Sequence, residues 1–135
     1  MKIEQSAVYM QMAMIMASKS KATRKKVGAV LVTVNGVIIP GYNGTFPSHD
    51  NQCEDLFGNT FPEVIHAEMN VMAKACREGV STQDATLYVT LSPCMDCAKL
   101  LSMSGVKAVY YTEAYRNTAG IDYLISCGID VEQMR

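Results

Sequence analysis

The stretch Leu87-Tyr88-Val89-Thr90-Leu91-Ser92-Pro93-Cys94-Met95-Asp96-Cys97-Ala98-Lys99 changes character halfway along. Its first part is apolar and β-branched, which predicts a buried strand over residues 86–91. Pro93 then suits a helix start, where its missing N–H costs nothing, and the helix should run to about Met103 with Gly105 as the stop. The same alternation continues with a strand at 107–112, a helix at 119–126 followed by Gly128, and a short strand at 129–131. Strands alternating with helices imply crossovers and parallel pairing in this half of the chain.

Upstream, residues 66–77 read as a helix closed by Gly79. The runs 27–34 and 37–42 flank Asn35-Gly36, a strong hairpin signal. The segment 44–62 is rich in Gly, Pro and polar residues, so a long loop of the kind that often carries function is expected. Residues 3–18 space Ile3, Ala7, Met10, Met14 and Ala17 as one helical stripe, predicted to face the core. The expected fold is α/β: a single domain over residues 1–135, a three-layer α/β/α sandwich around a mixed five-stranded sheet.

The chain has 135 residues, 49% hydrophobic and 19% charged, enough for a packed core. A net charge of −1 gives no general attraction to nucleic acid. No apolar run is long enough to span a bilayer, and no signal peptide is read, so a cytoplasmic protein is expected. Five cysteines without a secretory signal argue against a disulfide framework. Cys76 and Cys127 are read as packing residues and Cys53 as a loop thiol.

Two fragments carry chemistry: His66-Ala67-Glu68 and Pro93-Cys94-Met95-Asp96-Cys97. Each falls at a predicted helix start, where free N–H groups and the positive end of the dipole favour a thiolate. Cys94 and Cys97, three apart, share a helix face. Together with His66 they make three ligands for Zn2+, and no fourth is apparent, which is the pattern of a catalytic site. Zinc lowers the pKa of bound water toward neutrality, and Glu68 is placed to shuttle a proton.

The pattern H-x-E…P-C-x-x-C resembles the signature of the zinc nucleobase deaminases. With Val27-Gly28-Ala29-Val30, Gly41-Tyr42-Asn43-Gly44 and His66-Ala67-Glu68-Met69-Asn70, the chain is similar to the cytidine deaminase superfamily from about Arg24 to Gly128, and within it to the deoxycytidylate branch. The resemblance implies hydrolysis of dCMP to dUMP and ammonia, supplying thymidylate synthesis. It implies Glu68 as the proton carrier, the Ala67 N–H on the base O2, the Ser92 carbonyl on the exocyclic amine, Asn43 on the sugar and Tyr115 packed on the base. Arg24 is the expected phosphate ligand, with Lys21 and Arg116 behind it, because a guanidinium matches phosphate bidentately. It further implies an effector site at Tyr42, Asn43 and Gly44 for dCTP as activator and dTTP as inhibitor. A bound triphosphate would call for more cations and Mg2+. A homohexamer is expected.

The resemblance implies a second, non-catalytic zinc in some members; His49 and Cys53 are the residues here that would answer to it, and an ordinary polar loop is the expectation. Other superfamily activities differ at marked positions. The tRNA adenosine deaminases show Glu where Ser92 stands, and free cytidine deaminases show Cys in place of His66. Guanine deaminase stays in the comparison. A thioredoxin-like pair needs no upstream His-x-Glu, and a purely structural zinc module would want a fourth ligand and leave Glu68 idle.

Overall fold

The computed structural model describes residues 3–46 and 52–135. In chain order its elements are α1 (Ile3–Ala17), β1 (Gly28–Val32), β2 (Ile38–Tyr42), α2 (Ala67–Arg77), β3 (Thr86–Leu91), α3 (Met95–Met103), β4 (Ala108–Glu113), α4 (Ala119–Ser126) and β5 (Asp130–Gln133). The sheet runs β2-β1-β3-β4-β5. β1 pairs antiparallel with both β2 and β3, and β4 pairs parallel with β3 and β5. The expected mixed sheet between helical layers is what forms.

One face is covered by α2, α3 and α4, the other by α1. Leu31, Leu87, Leu101 and Leu124 are fully buried on the three-helix side, each stabilising by roughly 1.5–3 kcal/mol relative to exposure. On the α1 side the core is smaller and aromatic. Tyr88 stacks at an angle on Tyr9 and Tyr110, with centroids 5.3 and 5.6 Å apart. Ser6, fully buried there, pairs its hydroxyl with that of Tyr88 at 3.1 Å.

The stripe expected on α1 is corrected. The residues that face the sheet are Ser6, Met10 and Ala13; Ala7 and Met14 are exposed and Ala17 is half-buried. The helix is apolar nearly all round, so hydrophobic spacing carries little contrast. Small side chains decide which face lies closest to β1 and β3. Val8, Met12 and Ile15 consequently lie outward.

The hairpin forms with one residue more in its turn than an Asn-Gly pair alone would give. The Gly36 N–H donates to the Thr33 carbonyl at 2.9 Å around Val34 and Asn35, and Gly36 follows at φ 84°. Thr33 also takes the Val37 N–H on its hydroxyl at 2.9 Å. Pro93 lies further out than expected. It precedes the N-cap Cys94, and α3 starts at Met95. Cys94 is extended (φ −73°, ψ 171°), so the chain leaving β3 turns one residue after the proline, and Pro93 is fully buried behind that turn.

Two thiols are reassigned. Cys76 and Cys127, read as packing residues, are exposed, each at the C-terminal end of its helix, while Cys53 is a loop thiol as expected and is buried there. His49 lies outside the described residues. No helix among the described residues is long and apolar enough to cross a membrane.

Because β1 runs against β3, the start of β1 meets the ends of β3 and β4 at one edge of the sheet. Carboxyl ends of strands flanking such a change of direction are the usual place for a ligand in open α/β sheets.

Candidate active site

At that edge, α2 and α3 begin side by side. His66 is the extended N-cap of α2 (φ −66°, ψ 152°), and Cys94 plays the same part for α3. Neither makes a side-chain cap hydrogen bond, so both side chains are available to point together. His66 Nδ1 lies 3.6 Å from Cys94 Sγ and 3.4 Å from Cys97 Sγ. All three donor atoms fall within 4.8 Å of one another, and they form the one such cluster among the described residues.

This donor set fits zinc. Tetrahedral bonds of about 2.3 Å to sulfur and 2.0–2.1 Å to nitrogen place N and S about 3.5 Å apart, which is the spacing found. Three protein donors are the number a catalytic zinc takes, with the fourth position left to water or substrate. The thiols agree with a cationic guest. Hydrogen bonds with Cys97 and His66 pull Cys94 down to about 4. Cys97 faces that sulfur and is held far above the ordinary thiol range. Two sulfurs this close resist a second negative charge unless a dication lies between them. His66 is in turn raised, first by its hydrogen bond to Cys94.

Glu68 stands on the first turn of α2 and is only 4% exposed. Burial pushes its carboxyl up to about 7, against the pull of its own backbone N–H and of His66. A carboxyl that changes protonation near neutrality is suited to general acid–base work.

The cluster opens into a cavity of about 460 Å³. His66, Ala67, Glu68, Ser92 and Cys94 form its floor; Arg24, Asn43, Tyr115 and Arg116 line its rim. Ser92 is buried and does two things with its own groups. Its N–H donates to the Glu113 carbonyl at 2.9 Å, and its hydroxyl accepts the Tyr115 N–H at 2.6 Å. The loop after β4 is thereby tied to the end of β3.

Asn43 is at the rim with its amide already engaged. It accepts the Val27 N–H and donates to the Lys25 carbonyl, both at 2.9 Å. Tyr42 and Gly44 do not line the cavity, and neither does Lys21. The turn that contains them serves packing. A Cβ at position 41 would come 2.8 Å from Val71 Cγ1, so the glycine lets β2 lie against α2. Asn70 fastens the same strand by donating to the Tyr42 carbonyl at 3.0 Å. Gly44 pairs with Ile65 in an isolated bridge.

Three rim groups escaped sequence reading: Glu54, Glu113 and the particular use of Lys25. Lys25 pairs with Glu113, and Glu54 is bound by Thr23. Among the described residues Arg24 and Arg116 have no ion-pair partner, so two guanidiniums at the rim remain uncommitted. No local pattern announces these pairings, which join residues dozens of positions apart.

An α/β/α sandwich with a His/Cys/Cys cluster at two facing helix starts and a buried carboxyl beside it defines a zinc-dependent deaminase. Comparison with known proteins gives the family. Residues 3–113 match the cytidine and deoxycytidylate deaminase zinc-binding region, and the chain belongs to that family. It is 32% identical to the deoxycytidylate deaminase of Enterobacteria phage T4, over 93% of this chain and 88% of that one. It is 31% identical to ComE operon protein 2 of Bacillus subtilis, over 98% of this chain and 72% of that one. Its structure matches a crystal structure of dCMP deaminase from the cyanophage S-TIM5 in complex with dCMP and dUMP, with a TM-score of 0.94, 43% identity and 99% of each chain covered.

Proposed function

We propose that this protein hydrolyses dCMP to dUMP and ammonia. The observation that carries the reading is one cavity with a zinc-fitting floor and, at its rim, two guanidiniums that have no ion-pair partner among the described residues, in a chain 43% identical to a nucleotide-bound dCMP deaminase. A base with a 5′-phosphate has one end for each.

His66 Nδ1, Cys94 Sγ and Cys97 Sγ are the residues that would hold zinc. When bound, zinc lowers the pKa of a coordinated water toward 7 and so supplies a nucleophile at neutral pH. Glu68 carries the protons: its carboxyl delivers one to the ring N3, regains one from the hydroxyl added at C4, and passes that one to the departing amine. Burial supports this, because it raises the carboxyl's affinity for a proton and excludes water from the transfer. The Ala67 N–H, at the first position of α2 where helical partners are lacking, donates to the base O2. The Ser92 carbonyl takes the exocyclic amine, and Tyr115 packs on the base. Asn43, fixed by its two backbone bonds, faces the sugar. Arg24 and Arg116 take the phosphate; Lys25, paired to Glu113, takes the weaker part.

Regulation by dCTP and dTTP, with Mg2+ on the bound triphosphate, belongs to the same reading, as does a homohexamer. What supports an effector site near Tyr42 is Lys19, whose ammonium lies 5.7 Å from that ring and outside the cavity. Adding each triphosphate to the assay below checks it; rates that stay constant remove this clause.

The test offers zinc-loaded protein dCMP, deoxycytidine, cytosine and adenosine, and follows the ultraviolet change. Turnover of dCMP well above the others is expected. No turnover of any cytosine compound overturns the reading, and equal turnover of deoxycytidine overturns its phosphate clause. Arg24→Ala should raise KM for dCMP about tenfold more than for deoxycytidine, the scale of one lost charge-assisted hydrogen bond.

A further inference from the structure

Glu54 lines the cavity together with Arg24, and its carboxylate is aimed at the Thr23–Arg24 backbone. One oxygen accepts the Thr23 N–H at 3.0 Å and the Thr23 hydroxyl at 2.9 Å. The other faces the Arg24 N–H at 3.4 Å. These contacts span about thirty residues of chain and join two irregular segments, the one after α1 and the loop before α2.

The two segments differ in how they are held. Residues 53–61 form a small hairpin that stands without Glu54's side chain. The Asp55 N–H donates to the Asn59 carbonyl and the Phe61 N–H to the Cys53 carbonyl, at 2.9 and 2.8 Å. The Asp55 carboxylate accepts the Phe57 and Asn59 N–H groups at 2.8 and 3.0 Å, and Cys53 is buried at the base. The other segment is anchored at its ends. Ser20 donates to the Asn43 carbonyl at 2.9 Å and Ala22 is buried, while Asn43 holds the Lys25 carbonyl and the Val27 N–H. Between these anchors lie Thr23 and Arg24, and the side chain that binds their N–H groups is Glu54.

We infer that Glu54 is a positioning residue for recognition of the substrate's phosphate: it fixes the Thr23–Arg24 backbone to the hairpin so that the Arg24 guanidinium is presented at the rim. The inference rests on the reading of this cavity as a nucleotide 5′-monophosphate site. A carboxylate suits the task although the ligand is anionic. Its charge is turned to the Thr23 and Arg24 N–H groups and the Thr23 hydroxyl, which, with a smaller pull from the Arg24 charge, hold it below the ordinary carboxylate range. Its oxygens lie on Thr23 and on the Arg24 backbone N–H, and among the described residues the Arg24 guanidinium makes no ion pair.

The test measures kcat and KM for dCMP and for deoxycytidine with the zinc-loaded full chain. Glu54→Ala should raise the ratio of the two KM values roughly tenfold, through dCMP and with little in kcat, as Arg24→Ala does. Glu54→Gln keeps an acceptor for Thr23 and should recover most of that ratio. The double variant Glu54→Ala, Arg24→Ala should be no worse than Arg24→Ala alone, because the two act through one contact. Equal changes for both substrates in Glu54→Ala, or full additivity in the double variant, overturn the inference. If Arg24→Ala is selective for dCMP and Glu54→Ala is not, only the role of Glu54 falls. If Arg24→Ala moves both substrates equally, the phosphate reading falls and takes the role of Glu54 with it.

Discussion

The floor of the cavity and its rim are built by different rules. On the floor, two helices start against the sheet, and each sets a donor in an extended N-cap whose φ and ψ are fixed by the strand or loop behind it. Core packing holds Cys97, which is fully buried, and the residues beside the other donors through Ala67 and Ala98, while His66 and Cys94 reach the surface of the cavity. The rim consists of three irregular segments tied by side chains that reach across the sequence, Glu54 to Thr23, Asn43 to Lys25, and Ser92 to Tyr115. The floor is therefore anchored to the packed core through Cys97 and Ala67, and the rim through a few hydrogen bonds. Damage to the first should appear in kcat, and damage to the second in KM.

The largest effect expected is at the floor. Glu68→Gln should retain zinc but lower kcat by about 10²–10⁴, the usual worth of a general acid–base group. Metal content by elemental analysis and dCMP turnover check it together. A variant that kept its activity would move the proton transfer elsewhere.

A smaller effect should come from outside the cavity lining, through Gly120 in α4. A Cβ there would lie 2.2 Å from the Pro93 carbonyl oxygen and 2.9 Å from the Cys94 carbonyl carbon. Gly120→Ala must push α4 away from the turn that sets Cys94. A loss of about 1–3 kcal/mol in unfolding free energy is expected, the range for overpacking, together with faster zinc loss to a chelator. Unchanged zinc retention would show that the N-cap of α3 is not braced by α4.

The smallest effect belongs to the tie by which Ser92, on the floor, holds the rim residue Tyr115. Ser92→Ala leaves the Tyr115 N–H without its acceptor, at a cost of about 1 kcal/mol. That is roughly fivefold in KM for dCMP, with kcat little altered. A change in kcat alone would break the division between floor and rim.

The same division explains what was legible in the sequence. The floor was readable because its signals are local: His66 two residues before Glu68, and Pro93 beside two cysteines three apart. The sheet was readable for the same reason, since the strand at 86–91 and the helix at 119–126 each carry their own pattern and lie where expected. The inward face of α1 was not, because a helix with Met, Ile, Val and Ala on every side offers no period, and Ser6 is buried through its bond to Tyr88. Cys76 and Cys127 misled because cysteine is usually buried, while helix ends decide here. Glu54 and Glu113 were invisible, because an ordinary acidic residue shows its use only when its distant partner is in place.

The antiparallel pairing of β1 with β3 sorts the connections of this chain into two sets. Segments that follow β2, β3 and β4 gather at the cavity edge; the turn after β1 and the returns into β3, β4 and β5 lie at the opposite edge. Length changes around Val34 and Asn35 therefore fall far from the base and phosphate, and lengthening such a turn costs only about 0.6 kcal/mol per doubling. One margin of the sheet is left open to growth, fusion or new contacts, while the other carries the cavity.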